Sequence, residues 1–245
     1  MLAIILSLVL FSVGGCLPFR SAGNPMPTLA LSPANVAGSR IYILLPGMLD
    51  KPETFARKGI ADIINRIDPQ AGIVAADAHF NYYRKQILLE RLLEDVIEPA
   101  RSQGYEEIWL VGVSLGGFGS VLFASLHPDL ITGVLLMAPF LGEEDDLKQV
   151  DELKSQFNPD APGDLKPKIR ALITAWNWLD EEAPDPTSHP RIILAYGKDD
   201  RLLAGIQRLA GKLPQEDVFS IPGGHDWETW GSLLEQALPR LQQKP

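Results

Sequence analysis

Three short stretches set reactive side chains beside glycines. Residues 109–124, "WLVGVSLGGFGSVLFA", form an apolar strand-like run that breaks around Ser114 and continues as an apolar helix-like run. Ser114 is centred in the pentapeptide Gly112-Val113-Ser114-Leu115-Gly116. That spacing between a buried strand and a helix holds a serine in a strained turn and lifts its hydroxyl above the carboxyl edge of a sheet. A Cβ at 112 or 116 would collide with the neighbouring strand or helix, hence the glycines. The N–H of Leu115, at the helix N-terminus, then points to where an oxyanion would develop.

The second stretch, "LAYGKDDRLL" (194–203), puts Asp199 and Asp200 just past a buried strand. The third, "IPGGHDWETW" (221–230), puts His225 just past the last strand and before a terminal helix. A serine hydroxyl is a poor nucleophile until a base takes its proton. His225 supplies a base in its neutral form. A carboxylate on the far ring nitrogen would fix the tautomer and stabilise the imidazolium. Gly223 and Gly224 give the histidine loop the backbone freedom to bring the ring over the serine.

Other readings of these residues fit less well. A dinucleotide-binding turn needs glycine where Ser114 stands, and a phosphate loop needs Gly-Lys-Ser/Thr, with no lysine nearby. His127 and His189 precede prolines and read as structural. His79 lies past a strand end, where packing is favoured over lining a pocket. Four histidines and one cysteine are too few and too scattered for a thiolate metal site, so no metal and no cofactor is expected.

These residues need elements to carry them. Runs at 40–46, 72–78, 107–113, 131–139, 191–197 and 217–223 are β-branched and nearly all apolar, the mark of strands covered on both faces. Helix-like runs separate them. In "RKQILLERLLEDVIEPA" Leu88, Leu92 and Val96 recur every four residues, and Asp50 with Pro52 opens a helix over 53–67. The alternation predicts an α/β fold, a doubly wound and mostly parallel sheet of about six strands with helices on both faces. Between the runs at 131–139 and 191–197 lie about fifty residues, more than a crossover usually needs. A helical lid insertion over about 142–188 is expected there, with a surface elaboration as the alternative. It includes a helix in "KPKIRALITAWNWLDEE" that carries Trp176 and Trp178.

Ser114, then Asp199 or Asp200, then His225 is the chain order of the α/β-hydrolases. The sequence resembles that superfamily, serine esterases and lipases especially, over about residues 40–243. The resemblance implies a minimal version of the fold. The family's acid-loop pattern, Gly-x-x-Asp, runs from Gly197 to Asp200 and so assigns the acid role to Asp200, leaving Asp199 to solvent or a helix cap. The turn "LLPGMLD" (44–50) resembles the family's His-Gly-x turn, which makes the N–H of Met48 the second oxyanion donor beside that of Leu115. Pro46 replaces the usual histidine, and Asp50 reads as a helix cap without a chemical role. The implied function is cleavage of carboxylic esters or thioesters through an acyl-enzyme. The alternatives are a non-catalytic membrane-tethered binding protein, or a peptidase or acyltransferase using the same triad.

The bulk properties agree with one globular domain: 46% hydrophobic and 22% charged residues, with mean hydropathy +0.03. A net charge of −9 would repel a nucleic-acid backbone, so the expected partner is a small acyl ester. Residues 2–13, "LAIILSLVLFSV", are too short to span a bilayer as a mature helix and suit the core of a signal peptide over 1–15. "VGGC" resembles the lipobox of bacterial lipoproteins, although no Lys or Arg precedes the apolar run. This predicts acylation of Cys16, a flexible tether over 16–39 and a domain over 40–245. The enzyme would be exported and anchored to the bacterial envelope by lipid.

Overall fold

The computed structural model describes residues 20–32, 38–158, 165–183, 185 and 190–243. Seven strands form one sheet: β1 (Thr28–Ala30), β2 (Arg40–Leu45), β3 (Gly72–Ala76), β4 (Glu107–Val113), β5 (Gly133–Met137), β6 (Arg191–Gly197) and β7 (Val218–Ile221). Their order is β1-β3-β2-β4-β5-β6-β7, and every pair is parallel except β1 with β3. Nearly every residue from β2 to β6 is buried, which is why these runs are continuously apolar and not alternating.

The helices are α1 (Pro52–Arg57), α2 (Ile60–Ile67), α3 (Phe80–Arg84), α4 (Leu88–Leu92), α5 (Glu98–Ser102), α6 (Leu115–Leu126), α7 (Glu144–Leu153), α8 (Pro167–Glu182), α9 (Leu203–Ala210) and α10 (Trp227–Leu241). One face of the sheet carries α2 packed against α10. The other carries α6 with α4 and α8 beside it. The single helix expected over 53–67 is two, because Gly59 takes a left-handed φ of 73° and turns the chain between them. The Leu88, Leu92 and Val96 periodicity does form a continuous helical run, with one π-helical turn at Leu93–Ile97 between α4 and α5.

Two expectations change. A flexible tether over 16–39 does not describe residues 20–32. Leu29 pairs with Ala75 across β1 and β3, and Met26 is buried. The amide of Met26 donates to Asp95 (2.7 Å), and Arg91 donates to the side chain of Asn24 (2.8 Å). The hydroxyl of Tyr82 lies 2.9 Å from the amide of Gly23, which donates to it. These 13 residues form an arm along the open edge of β3, pairing backbone groups that would otherwise face solvent. The proposed cleavage point and Cys16 lie outside the described residues.

The lid reading fails for α8. Ile169, Leu172, Ile173, Trp176 and Leu179 are buried, and the Trp176 indole donates to the carbonyl of Leu141 (2.9 Å). The Arg208 guanidinium of α9 covers the same ring at 4.3 Å. A helix that buries this many apolar side chains is part of the core, and α8 lies in the β5-to-β6 connection, packed against α6 and α7. Trp176→Ala is therefore expected to lower the stability of the whole domain by about 3–5 kcal/mol in chemical denaturation, as deletion of a fully buried tryptophan does. A helix that served only as a lid would leave the midpoint unchanged.

Candidate active site

Ser114 sits between β4 and α6 with φ 53° and ψ −113°, a backbone conformation that L-residues avoid. Hydrogen bonds hold it there. Its N–H donates to Met137 (2.9 Å), and its carbonyl accepts from Gly117 (3.1 Å), Phe118 (3.3 Å) and Phe140 (2.9 Å). The flanking glycines are dictated by close approach. A Cβ at Gly116 would overlap the carbonyl oxygen of Leu45 at the end of β2. A Cβ at Gly112 would overlap the carbonyl of Gly116 and the hydroxyl of Ser120. Tyr83, which no sequence motif marks, donates from its hydroxyl to the carbonyl of Leu115 (2.9 Å) and braces the start of α6. Burial pushes its phenol well above the ordinary range.

The structure brings three of the sequence candidates into one hydrogen-bonded chain. His225 Nε2 lies 3.0 Å from Ser114 Oγ. His225 Nδ1 lies 2.8 Å from Asp200 Oδ2 and 3.0 Å from Oδ1. The Asp200 side chain is fully buried and also accepts from the N–H of Leu202 (2.8 Å). Asp199, by contrast, is exposed and fastens two loops together. Its N–H donates to Gly223 (2.9 Å), and its carboxylate accepts from the N–H of Gly223 (3.4 Å). The carboxylate behind the imidazole is that of Asp200.

His225 is aimed by the start of α10. Asp226 caps that helix, accepting from the N–H of Thr229 (2.9 Å), and this bond holds its carboxyl below the usual range. Gly223 has φ 140°, and a Cβ there would strike Thr229. The imidazole also meets the edge of the buried Trp230 at 4.9 Å between centroids. The remaining histidines stay apart from this chain. His79 Nδ1 accepts from the N–H of Asn81 (3.3 Å) and caps α3, with its pKa lowered by burial and then by the charge of Arg20. His127 packs on Phe123 at the end of α6. His189 lies outside the described residues.

The turn after β2 is the other half of the site. Asp50 N–H donates to Gly47 (3.1 Å), closing a turn that contains Met48. Among the described residues no acceptor takes the N–H of Met48 or of Leu115. Pro46 offers this turn no side-chain bond, and the bracing comes from two residues the sequence had not marked for it. Arg20 donates to the carbonyl of Asp50 (3.1 Å) and pairs with Asp77 (2.5 Å). The Asp50 carboxylate stands over Gly47, 3.0 Å from where a Cβ would be. Burial raises its pKa, against the opposing charges of Arg57 and Lys58. The cap of α1 is Lys51, not Asp50. The only sequence signal for Arg20 was a short apolar "TLAL" downstream of it, too brief to read as a strand.

Gly116→Ala must push the start of α6 away from Leu45. It is expected to destabilise the domain by about 1–3 kcal/mol, as overpacking does, in thermal or denaturant unfolding. Gly211→Ala is the control, since a Cβ at Gly211 makes only ordinary contact.

Residues 74–241 match the Esterase family, described as "Putative esterase". No curated protein matches the chain in sequence. Solved structures match over most of both chains. S-formylglutathione hydrolase (FrmB) from Staphylococcus aureus is 17% identical, covers 86% of this chain and 84% of its own, and superimposes with a TM-score of 0.56. The fluorophosphonate-binding serine hydrolase FphF from Staphylococcus aureus is 17% identical, with 84% of each chain covered and a TM-score of 0.57. Est1E from Butyrivibrio proteoclasticus with ferulic acid bound is 14% identical, covers 89% of this chain and 96% of its own, and has a TM-score of 0.60. At such identities the likeness to these structures is one of fold. With the family match spanning more than half of the sequence, the chain belongs to the Esterase family, serine hydrolases of the α/β-hydrolase fold.

Proposed function

We propose that this serine esterase cleaves carboxylic esters, with thioesters as close chemical relatives, through an acyl-enzyme on Ser114. One observation carries the reading: His225 Nε2 is 3.0 Å from the Ser114 hydroxyl while the buried Asp200 holds the opposite ring nitrogen. Neutral His225 takes the hydroxyl proton as Oγ bonds to the ester carbonyl carbon. The negative charge that develops on the carbonyl oxygen is met by the N–H groups of Met48 and Leu115, which are without acceptors among the described residues. The imidazolium, stabilised by Asp200, gives its proton to the leaving alkoxide oxygen as the C–O bond breaks. In the second half His225 takes a proton from water, hydroxide attacks the acyl carbon, and Ser114 leaves with that proton restored. No cofactor enters any step.

The reading extends to the N-terminus. The apolar run at 2–13 followed by "VGGC" supports a signal peptide over 1–15, acylation of Cys16 and an enzyme held at an envelope membrane outside the cytoplasm.

A fluorophosphonate probe is expected to label wild-type protein at Ser114 and to leave Ser114→Ala unlabelled. Labelling that persists in the variant would sink the assignment and favour a binding protein on a hydrolase scaffold. Asp200→Asn should lower kcat on a soluble aryl ester by roughly 10,000-fold, whereas Asp199→Asn should cost less than about tenfold. Arg20→Ala, which frees the turn carrying Met48, should lower kcat about 10- to 100-fold with little change in KM. Equal losses in unfolding midpoint and no change in kcat would make Arg20 purely structural.

A further inference from the structure

Four large apolar side chains stand exposed among the described residues: Met48 (46%), Leu49 (73%), Phe80 (40%) and Leu126 (56%). Their distribution is uneven. Met48 and Leu49 lie on the turn leaving β2, and Phe80 opens the helix that follows β3, so all three stand on loops from the carboxyl ends of two neighbouring parallel strands. Arg20 ties those loops together. Its guanidinium holds Asp77 and the carbonyl of Asp50, and its own carbonyl accepts from the Asn81 side chain (2.6 Å). Leu126 is at the other end of α6, toward the opposite edge of the sheet. The apolar rim therefore coincides with the turn beside Ser114.

The arm gives the rim a direction. The sequence before Arg20 holds the apolar run at 2–13 and Cys16, and only three residues separate Cys16 from Arg20. Four peptide steps reach at most about 14 Å. A membrane attachment at Cys16 thus cannot swing the domain freely. It brings the lipid to the rim, since Arg20 is fastened there. A net charge of −9 opposes an anionic surface, which leaves apolar contact with a neutral one as the favourable interaction.

We propose that the rim of Met48, Leu49 and Phe80 rests on a lipid bilayer and that the enzyme draws its acyl esters from the lipid phase. This rests on the esterase reading above and names the class of its substrate. The full chain is assayed on a dispersed short-chain ester and on a long-chain ester of the same chromophore carried in phosphatidylcholine vesicles. Phe80→Glu is compared with Leu126→Glu, which makes the same change of polarity and charge away from the rim. Phe80→Glu should cut turnover of the vesicle-borne ester about tenfold or more and leave the short ester within about twofold, while Leu126→Glu leaves both unchanged. Equal losses on both esters, or the same loss from Leu126→Glu, overturn the proposal.

Amide hydrogen exchange on the same full chain decides the matter independently of turnover. Phosphatidylcholine vesicles should protect residues 47–50 and 79–82 and leave 122–127 unaffected. Unprotected rim amides overturn the proposal. So does protection that arises without vesicles as protein concentration rises, which would make the rim a contact between two copies. A wild-type chain that hydrolyses neither ester overturns the esterase reading alone, since the exchange experiment still tests the rim.

Discussion

The approach of Gly116 to the end of β2 is the contact on which the site depends. The start of α6 sits against the Leu45 carbonyl with no room for a side chain, and Ser114 is bent into a left-handed conformation to allow it. Strain of this kind costs on the order of 1–3 kcal/mol and persists only where the surroundings over-determine it. Here the amide and carbonyl of Ser114 are both used, by Met137 on one side and by Gly117, Phe118 and Phe140 on the other. The same contact brings the turn after β2 beside the serine, so the candidate nucleophile Ser114 and the candidate oxyanion donors are set by one piece of packing.

Parallel pairing extends that arrangement across the sheet. β6 and β7 are neighbours, so the loops bearing Asp200 and His225 leave the same edge side by side. Gly197 and Gly223 lie too close for a side chain at position 197, and Asp199 bonds across the gap. The cap at Asp226 then fixes the first turn of α10 and with it the direction of the imidazole. Each of these devices is a backbone constraint, which suits a site whose reacting groups must be held within a few tenths of an ångström.

The arm at residues 20–32 ties the entry of the domain to its chemistry. A turn that lacks the histidine of the wider superfamily is held instead by a guanidinium from outside the sheet core. The turn is thereby connected through Arg20 to the loop after β3. Stability of the edge strand and geometry beside the serine are carried by the same residues.

Much of this was legible in the sequence. Continuous apolar runs specify strands buried on both faces, and six of the seven were read within one or two residues of their ends. Glycines around Ser114, and an acid and a histidine each just past a strand, were readable because chemistry confines them to few residue types. The choice of Asp200 over Asp199 as candidate acid rested on family spacing, and in the structure Asp200 is buried against the His225 ring while Asp199 is exposed. Short, half-exposed β1 carried too little pattern to be seen, since three residues cannot display a period. The helix over 53–67 broke at a glycine whose φ no periodicity reveals. Trp176 could be read as lid or core because an amphipathic stripe does not say what it faces. Residue order and residue type thus determined which groups could react and which segments would be strands. Only the packed chain decided which carboxylate turned inward, what braced the turn at 47–50, and where Arg20 was fastened, because those are contacts between segments dozens of residues apart.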